Sequence, residues 1–463
     1  MRSASKTIFL TAFHSFVSKN ILNTDVLKIL RGQQDLRVII FVSYQKKDFF
    51  EKYYGSENIL IEGIDVRPFT TSLINIFFSR IAHLFIDSHY LWYKKAEALD
   101  KRHSPLAYIK YFFLIRFTRI FSGYSFVNSI FRKLDYHFIP RFLLKKYFDR
   151  YTPSLLFSTD VFDGIDVQFL KEAKSRNVFT VGMIRSWDNC YSKGLMRVIP
   201  DKLIVNNEII KQEAISGHNI KPEDIFVAGH PQFDEFIRGK RLSREQFFSK
   251  IGADALKRLV LFAPAGSILS DTDWQICQIL NEGLKDGRFT KAIQFFVRNH
   301  PHHPADLSAF KGSQDFIFER PGHVLDKQNL KETELDPDET RHLADLLFHS
   351  DLVIYVATSL GLDASVFDKP QIIIDFDGWE NKPYIKSVKR YHNEDHMKKL
   401  IATGGVRVAK SRNELIEWIN HYLENPRTDQ EGRKKLAQAQ LYNLDGKSGE
   451  RVAHYLLTRL ESY

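Results

Sequence analysis

The sequence predicts an α/β protein made of two doubly wound domains facing a cleft, with a helical insertion in the first. Three observations predict it. Short apolar, β-rich runs recur along the chain with helix-like stretches between them. Near-continuous apolar strands of this kind belong to parallel sheets covered on both faces. The alternation occurs twice, on either side of a polar, helix-like stretch at 232–257. The chain also has 463 residues, more than one core usually organises and suited to two domains of about 200 residues each.

The first series places strands at 6–13, 36–43, 58–64, 154–159, 178–184, 203–205 and 225–228, with a helix at 167–176. Residues 70–150 break that series with helix-like sequence crowded with Phe, Tyr and Arg. The second series places strands at 259–263, 293–297, 316–318, 352–356, 371–375 and 406–408. Helices at 272–284, 338–349, 360–367 and 412–424 separate several of them. The domains are read as 1–235, carrying the insertion at 70–150, then 236–440, then a terminal segment 441–463 with a helix at 448–461.

Composition excludes several classes. Two cysteines, Cys190 and Cys277, make no disulfide framework and no metal-binding CxxC; a reducing cytoplasm is expected. The apolar run at 8–13 is cut by His14 and reads as a first strand rather than a secretory signal. No window approaches 18 uninterrupted apolar residues, so no spanning helix is expected. The net charge is +10, and residues 101–150, with eleven Lys/Arg against two Asp/Glu, supply nine of those ten charges. The same segment holds fourteen aromatic residues.

No G-x-G-x-x-G follows the first strand, and neither a P-loop nor a G-x-S-x-G elbow occurs. The strongest site signal is Ala357-Thr358-Ser359-Leu360-Gly361-Leu362-Asp363-Ala364, between a strand and a helix. The Thr358 and Ser359 hydroxyls, with the free N–H groups of a helix start, make a phosphate site. Gly361 would let a ligand approach closely, and Asp363 would accept hydrogen bonds from ribose hydroxyls. The same residues would equally make a plain helix cap with a first-turn acid.

Continued through Asp368-Lys369-Pro370-Gln371-Ile372-Ile373, this segment resembles the donor-site strand–loop–helix–strand of GT-B transferases. It is similar to the version in CDP-glycerol glycerophosphotransferase-like and related surface-polysaccharide enzymes, although Asp363 stands where many members carry Glu. Arg298-Asn299-His300-Pro301-His302 resembles the same group's R-x-HP loop. The resemblance implies that Arg298 binds the donor pyrophosphate and that His300 donates to phosphate or moves a proton. Val227-Ala228-Gly229-His230-Pro231 resembles the motif that closes the first domain, with His230 facing the cleft. Gly266 and Ser267 follow the second domain's first strand as a donor-phosphate loop. Asp188, Asn189 and Lys193, in a Ser-Trp-Asp-Asn segment, are read as an acid and two acceptor-side residues, or as a Trp-anchored turn with an Asx cap. His14, in the first βα loop, is the candidate general base. The resemblance also implies that the terminal helix crosses back onto the first domain. Helix-end electrostatics can stand in for a metal at such a donor site, so no metal and no cofactor is expected.

In the insertion, Tyr108, Tyr111, Phe112, Phe113, Phe117, Phe121, Tyr124, Phe126 and Phe131 interleave with Lys110, Arg116, Arg119, Arg132 and Lys133. One apolar and one cationic helix face suit the headgroup layer of an anionic membrane; an aromatic core helix with a solvated basic face is the alternative. No RNA-binding module is present, so nucleic acid is not an expected partner.

The function expected is transfer of a sugar from a nucleotide-sugar to a lipid-linked or surface-polysaccharide acceptor, at the cytoplasmic face of the cell membrane. CDP-polyol (glycerol or ribitol) phosphotransfer, non-hydrolysing nucleotide-sugar epimerisation, and a non-catalytic membrane-binding scaffold are the alternatives.

Overall fold

A computed structural model describes residues 6–100, 104–138, 142–310, 314–326, 329–330 and 332–461. The chain divides into two compact units, one of residues 1–232 with 447–463 and one of residues 233–446. The junction falls three residues before the boundary read from the sequence.

The first unit is built on a seven-stranded, all-parallel sheet. Its strands are β1 (Lys6–Thr11), β2 (Leu36–Ser43), β3 (Ile59–Ile64), β4 (Leu155–Ser158), β5 (Phe179–Met183), β6 (Lys202–Val205) and β7 (Ile225–Val227). They lie in the order β3-β2-β1-β4-β5-β6-β7. The order reverses between β1 and β4, and such a switch point leaves a crevice outside the carboxyl ends of the strands. Ile8, Phe9, Leu10 and Val38 to Val42 are fully buried, as a sheet covered on both faces requires. The last helix, Ser448–Glu461, closes one face with Val452, Leu456 and Leu460. Tyr455 stacks on Phe226 at 4.3 Å between centroids, and Arg451 donates to the Ala228 carbonyl at 2.8 Å.

The insertion is helical: Leu73–Ala82, His89–Asp100, Pro105–Phe121, Ser125–Phe138 and Lys145–Tyr151. Phe78, Phe85, Leu91 and Phe131 form its small core. The helix Ser125–Phe138 is tied to the sheet domain by a buried ionic group. The Asp135 carboxylate lies 2.8 Å from Lys171 Nζ and 2.7 Å from Arg197.

The second unit carries a six-stranded parallel sheet, ordered β10-β9-β8-β13-β14-β15. These strands are β8 (Arg258–Ala263), β9 (Ile293–Arg298), β10 (Phe316–Glu319), β13 (Leu352–Tyr355), β14 (Gln371–Ile374) and β15 (Arg407–Ala409). A two-residue ribbon, β11 (His323–Val324) with β12 (Thr333–Glu334), lies outside the sheet; it is too short to leave a periodic sequence signal. Here the switch point falls between β8 and β13, so the loops after β8, β9 and β13 share one end of the sheet.

Candidate functional site

In the second unit, the loops after β8 and β9 pack together. Gly266 has φ +81°, and a Cβ there would collide with the His303 carbonyl. The N–H groups of Ala265 and Gly266, expected to cradle phosphate, both donate to the Asp273 carboxylate, at 3.0 and 2.9 Å. Burial pushes that carboxyl up to about 6 despite the two donors. Ser267 is exposed, and its N–H donates to the His303 carbonyl at 3.3 Å.

His300 is held in one protonation form. Its Nδ1 accepts the backbone N–H groups of His302, at 3.1 Å, and His303, at 3.2 Å. A nitrogen that accepts two N–H bonds carries no proton, so in the neutral ring the proton sits on Nε2. Burial, with His302 and His303 alongside, pushes its pKa down to about 3. His300 is therefore a neutral N–H donor at physiological pH rather than a base.

Arg298 differs from its expected role. Its guanidinium is buried and paired with Glu319 at the end of β10 and with Glu339, at 3.2 Å, on the helix Pro337–His349. Burial lowers its pKa, against the pull of Glu339 and of Asp363. Two carboxylates already occupy the fork that was expected to meet pyrophosphate. Asp363 is itself buried in the helix Leu360–Ser365, close enough to act on Arg298 electrostatically. Ser359 is exposed where that helix begins, and the Thr358 hydroxyl accepts the Leu360 N–H at 3.3 Å. Gly361 leaves room for this protein rather than for a ligand. A Cβ would lie 2.5 Å from the Tyr355 hydroxyl, which donates to Gln371 at 2.8 Å in a buried polar chain.

In the first unit, Gly229 and His230 are placed apart in sequence and unit from the other donor candidates. Gly229 has φ +87°, and a Cβ there would meet Ser448 of the last helix. Packing of that helix thus explains the glycine. His230 is buried, with Gln232 Nε2 3.3 Å from its Nδ1. His14 follows β1 and is half-buried; its Nδ1 accepts the Phe16 N–H at 3.3 Å, which again assigns the neutral ring's proton to Nε2.

Asp188 precedes a short helix, Asn189–Ser192. It accepts from the Ser186 hydroxyl at 2.5 Å and the Ser192 hydroxyl at 2.8 Å. Asn189 is buried and accepts the Ser186 N–H at 3.1 Å, so it shapes the turn. Lys193 lies 3.3 Å from Asp163. Burial opposes its charge, but Asp163 and Asp160 hold its pKa above the usual lysine value.

Sequence reasoning missed the group that joins these residues. Asp160 and Arg185 each stand two residues beyond a strand, β4 and β5, and pair at 2.9 Å while buried. Asp166 is wholly buried beneath them, hydrogen-bonded by Thr11 at the end of β1. Burial and then Asp160 raise its pKa well above the carboxylate range. A charged residue just past an apolar strand was the available signal. Lys46, buried beyond β2 with its Nζ 3.2 Å from the Ser15 hydroxyl, was missed for the same reason. Among the described residues no group of three or more His, Cys, Asp or Glu is placed to hold a metal ion.

The insertion separates its residues into two sets. Phe131 is buried, and Arg132 is not a surface cation: it donates to the Met196 carbonyl at 2.9 Å and the His218 carbonyl at 2.6 Å. Burial brings its pKa down to about 10. Leu106, Ile109, Phe112, Phe113 and Phe126 are instead exposed, from 66% to 75%. Lys110, Arg116, Arg119 and Lys133 are exposed with them. Lys101, Arg102 and Arg141 lie outside the described residues. No helix among the described residues is long and apolar enough to cross a membrane.

Residues 188–458 match the family described as CDP-Glycerol:Poly(glycerophosphate) glycerophosphotransferase. The chain belongs to this family. The glycerophosphotransferase-family chain is thus a transferase, and its two parallel-sheet units are those of the GT-B fold. Solved structures share that fold at low identity. The UDP-GlcNAc 2-epimerase from Neisseria meningitidis bound to UDP-GlcNAc is 11% identical with a TM-score of 0.56, covering 98% of this chain and 100% of that one. The UDP-GlcNAc 2-epimerase from Methanocaldococcus jannaschii is 13% identical with a TM-score of 0.52, covering 98% and 99%. The wall teichoic acid polymerase TagF, solved with CDPG, is 11% identical with a TM-score of 0.51, covering 99% and 89%. No curated protein sequence matches the chain. The match begins at Asp188, so the insertion and the first five strands of the transferase, β1 to β5, lie outside it.

Proposed function

We propose that this transferase moves a phosphopolyol, glycerol phosphate foremost, from a CDP-activated donor to a hydroxyl of a lipid-linked or glycan acceptor at an anionic membrane surface. The observation that carries the reading is the neutral His300, whose Nε2–H is fixed by two backbone N–H bonds at Nδ1, in a chain of the glycerophosphotransferase family. A fixed neutral donor stabilises charge that develops on a leaving phosphate, without reorganising and without becoming a phosphate-bound cation.

In this reading the acceptor oxygen forms a bond to the distal phosphorus of the donor while the bond from that phosphorus to the bridging oxygen breaks and CMP leaves. His300 Nε2–H and the Ser359 hydroxyl meet the charge on the leaving phosphate, and Asp363 orients the ribose. Arg298, held by Glu319 and Glu339, acts as a positioning residue for that loop. Within the first unit, the proposed base for an acceptor hydroxyl is Asp188. Asp188 is an acceptor-only carboxylate bonded by the Ser186 and Ser192 hydroxyls, whereas His14 and His300 direct their Nδ1 lone pairs at backbone N–H groups. Arg185 and Lys193 balance the negative charge around Asp188.

The test is calorimetry and transfer assays with CDP-glycerol, CDP-ribitol and UDP-GlcNAc, using a short lipid-linked glycan as acceptor. CDP-glycerol is expected to bind most tightly and to release CMP with the acceptor extended. Transfer from UDP-GlcNAc alone would replace phosphopolyol transfer by sugar transfer, and binding of none of the three would sink the reading.

The membrane part rests on the exposed Leu106, Ile109, Phe112 and Phe113 beside Lys110, Arg116 and Arg119. Each cation near an anionic surface contributes about 1 kcal/mol, screened within a Debye length. Changing Lys110, Arg116, Arg119 and Lys133 to Gln, with Arg132 left in place, should abolish salt-sensitive flotation with anionic vesicles. Unchanged flotation would remove the electrostatic contribution.

A further inference from the structure

Three helices of the insertion, Leu73–Ala82, His89–Asp100 and Pro105–Phe121, line an open cavity of about 470 Å³. That lies within the range of ~300–1,000 Å³ typical of small-molecule sites. Its wall is apolar, with Leu91 and Leu114 among the residues that line it, and its polar lining has one sign of charge. Arg80, Lys94, Lys95 and Lys110 line it together with His83, and among the described residues no Asp or Glu does. Lys94 meets Glu97 at 3.4 Å on the exposed side. Lys95 Nζ donates to the Thr118 hydroxyl at 2.9 Å, and Asp87 is the carboxylate whose field reaches it. Burial weakens its hold on a proton, as expected for a cation set in an apolar wall.

The cavity is also placed against the candidate site. A Cβ on Gly194 would strike the His83 ring, and the Leu195 N–H donates to the Ala82 carbonyl at 2.9 Å. His83 therefore joins the cavity wall to the turn that carries Asp188 and Lys193. On its outer side, the helix Pro105–Phe121 exposes Ile109, Phe112 and Phe113.

From this arrangement we infer that the cavity binds a single anionic amphiphile, a phosphate-bearing lipid whose head meets Lys95, Lys110 and Arg80 and whose chain runs along the leucine wall. The inference rests on the proposal that the acceptor is lipid-linked, because a lipid phosphate held here would anchor the acceptor beside the Asp188 turn. Clustered cations in an apolar recess complement a phosphate that carries a hydrocarbon chain. A free phosphate would satisfy the cations and leave the apolar wall without a partner.

The probes are decyl phosphate below its micelle concentration, inorganic phosphate and decanol, measured on the full chain by isothermal calorimetry. Decyl phosphate is expected to bind one to one, at least tenfold more tightly than either fragment. Lys95→Gln combined with Lys110→Gln should weaken it tenfold or more. Ala107→Phe, which fills the lined space and leaves every charge in place, should abolish the one-to-one binding, with circular dichroism showing both variants folded. Lys110→Gln alone, at an exposed position, gives a smaller loss in the same direction if the double variant does not fold. Equal affinity of Ala107→Phe and wild type would overturn the site. So would binding of many equivalents, which marks adsorption to Phe112 and Phe113, or inorganic phosphate binding as tightly as decyl phosphate. CMP binding is measured on the same samples: its retention with decyl phosphate lost tests the cavity alone, and its absence from wild type counts against the transferase assignment instead.

Discussion

Asp135→Ala tests how firmly the insertion is fixed to the sheet domain. Asp135 and Lys171 are fully buried, and Arg197 is 3% exposed. Two of the Arg197 guanidinium nitrogens, Nε and Nη1, are buried with no hydrogen-bond partner among the described residues, and Asp135 is the counterion at the third. Removing the carboxylate leaves two cations buried together. Breaking a buried pair in this way costs about 3–5 kcal/mol, because an uncompensated charge remains out of water. For a unit of some 250 residues each kcal/mol moves the melting temperature by about 2–4 °C, so the fall should be about 6–20 °C. Differential scanning calorimetry with urea unfolding followed by circular dichroism measures it. A triple variant, Asp135→Leu with Lys171→Met and Arg197→Met, should recover most of the loss, since apolar residues replace a buried ionic group at little cost. A single variant within about 1 kcal/mol of wild type would refute the reasoning.

Other consequences follow from single residues. His300→Ala should lower turnover roughly 10²-fold, the usual effect of losing one fixed donor to a developing anion. Nitrogen shifts of the wild-type His300 ring should report the neutral Nε2–H form from pH 9 down to pH 5. The unfolded chain takes up that proton near pH 6.5 while the fold refuses it until about 3, so the fold loses stability as pH falls through that window, and His300→Ala flattens the slope. Asp273 has the opposite sign. Its folded value, raised to about 6, makes its contribution fullest in acid and lost as pH rises from about 4 through 6. Asp273→Asn should remove that slope in urea titrations and turn an amide NH₂ against the Ala265 or Gly266 N–H, costing about 1–3 kcal/mol. Asp188→Asn should lower transfer roughly 10²–10⁴-fold, with donor affinity unchanged by calorimetry and with the acid limb missing from the pH profile of the residual rate. A retained limb would assign the base elsewhere.

Much of the architecture was legible because buried parallel strands are written locally. Every strand of the two sheets falls within two residues of a predicted apolar run, since a run of four to eight such residues can be satisfied only by burial on both faces. The placement of Thr358 and Ser359 at a helix start followed from local chemistry as well, because capping depends on neighbours in sequence. The partners of charged side chains were not legible. Arg298 looked like a phosphate ligand until β10 and the helix Pro337–His349 brought Glu319 and Glu339 against it. Gly361 looked like a ligand-facing glycine, yet its missing Cβ accommodates the Tyr355 hydroxyl.

The insertion shows the division most clearly. Its sequence determined that it is helical, aromatic and cationic, because composition and helical period are properties of the chain itself. Only the tertiary structure decided that Arg132 and Phe131 face inward while Phe112, Phe113 and Arg116 face out, and that Arg80, Lys95 and Lys110 from three helices share one cavity. The physical reason is range. A residue's own preferences act over a turn or a strand, whereas the field at a charge and the space beside a glycine are set by atoms distant in sequence.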